Sequence, residues 1–270
     1  MQTIHFISGL PRSGSTLLAA ILGQNPRFGA RMSSPVSQIV EQTFNSMSKD
    51  NEFALFITPE QRQAILTGIF TNYYQSFNAE VVFDTSRAWT SKLPLLKTLF
   101  PQSKVIVCVR NIAWIMDSLE SITRKNPLHV PGLFQNPSEI ATVYTRTNTL
   151  GQSDRLVGYA YDALREAYYS AEAEVMLLVD YNTLTKSPAE VMRLIYEFIE
   201  QPHFEHDFNN LEYQENEFDE KMNTPGLHTV RRKVTYQQRA TILPPDLFEK
   251  FSKLSFWEQD DNTKANRICE

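Results

Sequence analysis

Apolar residues along this chain gather into four short, nearly continuous runs at residues 3–8, 81–84, 104–110 and 175–180. Runs of that length, rich in β-branched and aromatic side chains, predict strands buried on both faces of a parallel sheet. After the first, third and fourth runs the spacing changes to that of a helix. Residues 15–24 follow the first. Residues 111–124 follow the third, with Ile112, Ile115, Met116, Leu119 and Ile122 on one face, and residues 187–200 follow the fourth, with Pro188 at a permitted first-turn position. Two inserts, 59–75 and 137–172, also carry helical spacing, and the second is long enough for more than one helix. Strand, turn and helix repeated in this way predict an α/β, P-loop-like three-layer fold. A mostly parallel central sheet would be flanked by helices and helical inserts. With no linker-like run, internal repeat or low-complexity stretch, residues 1–270 are expected to form a single domain.

Composition narrows the class without choosing a chemistry. The 270 residues are 42% hydrophobic and 21% charged, which suits a water-soluble core-forming protein. A net charge of −5 argues against a broad nucleic-acid footprint. No window approaches the roughly 20 apolar residues of a membrane span, and the first residues lack a basic leader, so a cytoplasmic location is expected. Cys108 and Cys269 give no disulfide framework, and Cys108 lies in an apolar run where a buried thiol is expected. The five histidines show no metal-ligand spacing, so no metal is expected. Late in the chain Glu212, Glu215, Glu217, Asp219 and Glu220 form an acidic patch. Residues 221–245 then hold no acid but carry Lys221, Arg231, Arg232, Lys233 and Arg239. That stretch reads either as a solvated loop or as a site for a small polyanion.

The most specific motif is Gly9-Leu-Pro-Arg-Ser-Gly-Ser-Thr16, which nearly fits G-x-x-x-x-G-K-[ST] and sits between a predicted strand and a predicted helix. Its glycines let several N–H groups point at one phosphate, and the helix adds its positive end. Ser15 stands where the lysine belongs, and the loop's only cation is Arg12. A γ-phosphate needs that lysine beside magnesium. This loop better suits a 5′-phosphate and its bridging oxygen. A second feature is Arg110, at the carboxyl end of the third predicted strand, with Ser118 eight residues later on the next helix. Either the pair holds an anion, or Ser118 bonds to its own helix and Arg110 to a surface carboxylate.

Together these segments resemble the sulfotransferases that use 3′-phosphoadenosine-5′-phosphosulfate (PAPS), most of all the bacterial and tyrosylprotein-type branch. Pro11-Arg-Ser-Gly-Ser-Thr16 resembles their 5′-phosphosulfate loop, and Arg110 with Ser118 is similar to their 3′-phosphate site. Leu178-Val-Asp-Tyr-Asn-Thr-Leu184 looks like the segment whose tyrosine approaches the adenine. The resemblance spans roughly residues 1–200. It implies direct in-line sulfuryl transfer from PAPS to a hydroxyl or amine of a small-molecule, glycan or peptide acceptor, releasing 3′,5′-phosphoadenosine without a metal. It also implies that Arg12, Ser13, Gly14, Ser15 and Thr16 hold the sulfate and 5′-phosphate, that Arg110 and Ser118 hold the 3′-phosphate, and that Tyr181 meets the adenine. Arg231, with Arg232 or Lys233, corresponds to the late basic loop.

The chain departs from the family where a base and a lysine are expected. The glutamate of the tyrosylprotein branch is absent from Arg31-Met-Ser-Ser-Pro35, and Thr85 replaces the lysine after strand two. Asp84 is then the candidate base, with Glu41 and His129 as alternatives, and Arg87 the substitute cation; Asp84 as a helix cap is the competing reading. Trp89 and Trp114 are either acceptor-pocket walls or core, and His5 is expected in the core. An atypical P-loop kinase using Asp84 or Asp180 for magnesium, and a non-catalytic nucleotide-binding module, are the rival functions.

Overall fold

The computed structural model describes residues 2–48, 52–125, 131–213, 216–221, 228–259 and 261–269. Its centre is a six-stranded sheet in the order β2-β3-β1-β4-β5-β6, with every neighbouring pair parallel. The four expected strands are β1 (Thr3–Gly9), β3 (Val81–Thr85), β4 (Val105–Val109) and β5 (Met176–Asp180), the last three buried at every position. Two edge strands, β2 (Phe28–Ala30) and β6 (Asn266–Ile268), have three residues each, too short for a periodic signal.

Period-two alternation sends the side chains of each strand into two layers. Phe6, Val82, Val107 and Leu178 pack with Phe70, Trp89 and Leu164 on one side. Ile7, Phe83, Ile106 and Val179 pack with Leu18, Ile21, Val191 and Ile195 on the other. The second layer is supplied by α1 (Ser15–Leu22) and α10 (Pro188–Phe198). The first layer uses α3 (Pro59–Tyr74), α4 (Leu93–Leu99), α5 (Ile112–Lys125) and the long insert, together with α2 (Val36–Ser46), a helix not among the expected elements.

The insert at 137–172 resolves into α6 (Pro137–Ile140), α7 (Val143–Leu150) and α8 (Leu156–Tyr168). Thr142 starts α7 with a reciprocal capping box to Thr145, and Gly151 closes it. The remaining helices are α9 (Tyr181–Lys186), α11 (Asn216–Lys221) and α12 (Pro245–Ser252). Asp117, wholly buried on α5, accepts from Thr241 Oγ1 and the Ile242 amide at 2.8 Å each and pairs with Arg239. This carboxylate ties the basic tail to the helix that carries Ser118. Among the described residues no helix is long and apolar enough to cross a membrane.

Candidate functional site

The loop between β1 and α1 is shaped by contacts to one carbonyl. Gly9 pairs with Cys108 of β4, and a Cβ on Gly9 would lie 2.1 Å from the Cys108 carbonyl oxygen, at φ +115°. Only glycine fits there. The Leu10 amide donates to the same oxygen at 3.0 Å, and the Ser13 hydroxyl donates to it at 2.9 Å and also to the Leu10 carbonyl. Ser13 is therefore buried scaffolding: its hydroxyl faces the backbone and not the cavity, contrary to the ligand role expected for it.

Gly14 then starts α1 with φ +98°, no side chain caps the helix, and no acid lies in its first turn. The positive end of α1 thus faces the cavity uncompensated. Gly14 must be glycine for a second reason: a Cβ would come 2.8 Å from the Tyr181 ring. That ring, at the start of α9, carries the Arg110 guanidinium 4.3 Å from its centroid. Arg110 Nη1 donates to the Arg12 carbonyl at 3.4 Å, and Arg12 Nε donates to Ser118 Oγ at 3.1 Å. The two anion motifs are thereby one hydrogen-bonded assembly, with Ser118 facing the loop and not its own helix.

Above this assembly opens a cavity of about 990 Å³ at the carboxyl edge of the sheet. Arg12, Gly14, Ser15, Thr16, Arg87, Arg110, Ser118, Tyr181 and Arg231 all line it, as do Thr85, Lys233 and Arg239. Burial, then the neighbouring Arg110, holds the Arg12 guanidinium below its ordinary pKa; burial does the same to Arg87 and Arg110. Buried cations pressed together in this way favour a bound polyanion. The Nε of Arg110 is buried with no hydrogen-bond partner among the described residues. Arg231 reaches the cavity and bonds Gln237, whereas Arg232 turns away to Asn210.

Asp84 does not line the cavity. It is wholly buried beneath the site, where Oδ2 accepts from Ser34 Oγ at 2.7 Å and Tyr74 OH at 2.6 Å, and Oδ1 accepts from Trp89 Nε1 at 2.8 Å. Burial raises its pKa, against the lowering effect of these three donors. Asp84 is thus a structural hub binding α3, the segment before α2 and the 3₁₀ turn Arg87–Lys92. The expectation of a base there is corrected by strand alternation: Val82 and Asp84 face the core layer, and the chain reaches the cavity at the next four residues, Thr85 to Ala88. Glu41 pairs with Lys92 at 3.7 Å away from the cavity, and His129 lies outside the described residues. Asp180 caps α9 through the amides of Asn182 and Thr183. Both carboxylates invoked for a kinase are therefore committed to protein donors. Trp89 is core, and Trp114 packs on Phe248 at 5.1 Å.

Sequence reasoning missed a histidine. His228 lines the cavity, and its Nδ1 lies 2.6 Å from Oδ1 of buried Asp219 on α11. Residues from the long insert, among them Arg155, Leu156 and Tyr159, close the far end.

The sequence model of the Sulfotransferase family matches residues 5–206, three quarters of the chain, and takes in the loop, Arg110, Ser118 and Tyr181. The chain belongs to the sulfotransferase family. Solved structures agree at the level of fold. The sulfotransferase domain from the Synechococcus PCC 7002 olefin synthase is 18% identical, with 96% of this chain and 97% of that one covered and a TM-score of 0.52. The sulfotransferase domain from the curacin biosynthetic pathway is 16% identical, covering 94% and 92%, with a TM-score of 0.51. A Mycobacterium avium sulfotransferase is 13% identical, covering 98% and 79%, again at 0.51. Among curated proteins none matches the sequence. This sulfotransferase therefore has the P-loop-like fold of its family, with the cavity at the carboxyl edge of its sheet.

Proposed function

We propose that this sulfotransferase takes its sulfuryl group from PAPS and passes it in line to a hydroxyl or amine. What carries this reading is the joined pair of anion sites, in which Arg12 bonds Ser118 while Arg110, its Nε unpartnered among the described residues, lies on the Tyr181 ring. Two separated phosphate positions on one rigid assembly match a nucleotide phosphorylated at both 5′ and 3′ carbons. In the reaction the acceptor atom bonds to sulfur while the bond from sulfur to the bridging oxygen breaks. That electron pair stays on the 5′-phosphate. Arg12, the backbone N–H groups at Gly14–Thr16 and the hydroxyls of Ser15 and Thr16 offset the charge gathering on the bridge. Arg87, across the cavity, takes the place of the family's lysine beside the sulfate. Arg110, Ser118 and Arg231 hold the 3′-phosphate, and Tyr181 borders the adenine.

Calorimetric titration of 3′,5′-phosphoadenosine and of ATP, both in EDTA, tests the donor. Wild type is expected to bind the first and not the second. Arg110→Ala should weaken that binding roughly 10- to 100-fold, the worth of a lost charge-assisted contact. Preference for ATP, or equal affinity in the variant, refutes the PAPS reading. Binding without turnover for any acceptor would instead favour a non-catalytic nucleotide module.

A further inference from the structure

We propose that His228 is the base that takes the acceptor proton, with Asp219 as its positioning residue. The inference rests on the PAPS reading and adds the proton's destination. Asp219 and His228 are nine positions apart, yet the carboxylate grips the histidine twice. Oδ1 meets the ring Nδ1 at 2.6 Å and Oδ2 accepts from the His228 backbone amide at 2.8 Å. One contact sets the place of the residue and the other its ring rotation. A carboxylate opposite Nδ1 keeps the proton on that nitrogen, which makes Nε2 the nitrogen that accepts. The Asp219 side chain is 3% exposed and that of His228 16%, and His228 borders the cavity that Arg12 and Arg87 also line.

Among the described residues, the charged groups that act on the ring include Asp219 from α11, Arg12 from the loop and Arg87 from the turn after β3. Burial lowers the His228 pKa, the two arginines add to this, and Asp219 opposes them; the balance lies below the ordinary histidine value. The imidazole is then neutral near pH 7 and fit to accept. As the acceptor oxygen or nitrogen bonds to sulfur, its proton passes to Nε2. The bond from sulfur to the bridging oxygen breaks toward the 5′-phosphate, and the imidazolium is stabilised by Asp219. The arrangement assigns to the tail of the chain a task for which neither Asp84 nor Glu41 is placed.

The test uses cleavage of ³⁵S-labelled PAPS, with water and with phenol as acceptors. Rates across pH 5–9, about two units either side of neutrality, are compared for wild type, His228→Asn and Asp219→Asn, alongside calorimetry with 3′,5′-phosphoadenosine. Nucleotide affinity should stay within about twofold in both variants, which also verifies folding. His228→Asn should lower kcat roughly 10²- to 10⁴-fold and abolish the acid limb of the profile. Asp219→Asn should cut kcat less and move the acid limb to lower pH, because the group that raises the histidine pKa is gone. A merely structural pin would leave that limb in place. Wild-type rates or an unmoved acid limb in His228→Asn, with nucleotide binding intact, overturn the base assignment alone. Failure of wild type to bind the nucleotide, or to cleave PAPS at any pH, removes the assignment; in the first case the donor reading falls with it.

Discussion

Replacing Asp84 with alanine separates a buried hub from a reacting group. The substitution strips the Trp89 ring N–H and the Tyr74 hydroxyl of their acceptor among the described residues, and the two residues are 0% and 3% exposed. Each buried donor left unpaired costs about 1–3 kcal/mol. The third donor, Ser34, is half-buried and recovers a partner from water. Removing a carboxylate whose ionisation burial disfavours returns part of the loss. The net expectation is about 3 kcal/mol, or a fall in Tm of about 6–12 °C for a chain of this size. Asp84→Asn should cost about half as much, because its oxygen still serves Ser34 and Tyr74 while its amide meets the Trp89 N–H donor to donor. Thermal melts of the three proteins, paired with 3′,5′-phosphoadenosine calorimetry, check both size and order. An Asp84→Ala protein that melts with wild type yet loses all PAPS turnover would refute the structural assignment and return Asp84 to the chemistry.

Gly9→Ala should fail to yield folded protein, or melt far below wild type, since its Cβ meets the Cys108 carbonyl at 2.1 Å and φ is +115°; soluble yield and a melt decide it, and an unchanged Tm would contradict the loop geometry. His5 predicts an acid-sensitive core. Burial, then Lys104, pushes its pKa down to about 4, and its Nδ1 accepts the Lys104 amide at 3.1 Å. The unfolded chain therefore binds the extra proton first, so stability is complete above about pH 6.5 and falls as pH drops toward 4, by about 2 kcal/mol at pH 5. Urea midpoints at pH 7 and pH 5 should converge for His5→Asn more than for wild type; parallel losses would show that His5 is not the source.

What the sequence reveals follows from where periodic burial is strong. The four central strands are legible because buried β-branched runs such as Val105–Val109 leave no other reading, and the loop because glycine spacing, strand and helix coincide. The edge strands Phe28–Ala30 and Asn266–Ile268 are too short to carry a period, whereas Val36, Ile39, Val40 and Phe44 do mark α2 at helical spacing. Arg12, and Arg110 with Ser118, are readable as two separate motifs, but the bonds that join them are not. Asp84 is not readable either, because its place at a strand end says nothing about which face it takes; one residue of alternation separates core from cavity. The Asp219–His228 pair leaves no trace in spacing, since nine positions separate the two residues and only their folded contact joins them. Its only signal was a histidine entering a stretch of basic residues after an acidic patch.

The single carbonyl of Cys108 has a consequence for evolution of the enzyme. The Leu10 amide, the Ser13 hydroxyl and the close-packed Gly9 all meet at it, and Arg110 follows two residues later on the same strand. The distance between the loop and Arg110 is thus gauged by backbone contacts, with the Ser13 hydroxyl as a side-chain brace. On the proposed reading this works as a fixed caliper for a doubly phosphorylated nucleotide, too stiff to close on a shorter one. The helical inserts that shape the rest of the cavity attach outside the caliper. They are free to change with the acceptor while the donor grip stays constant.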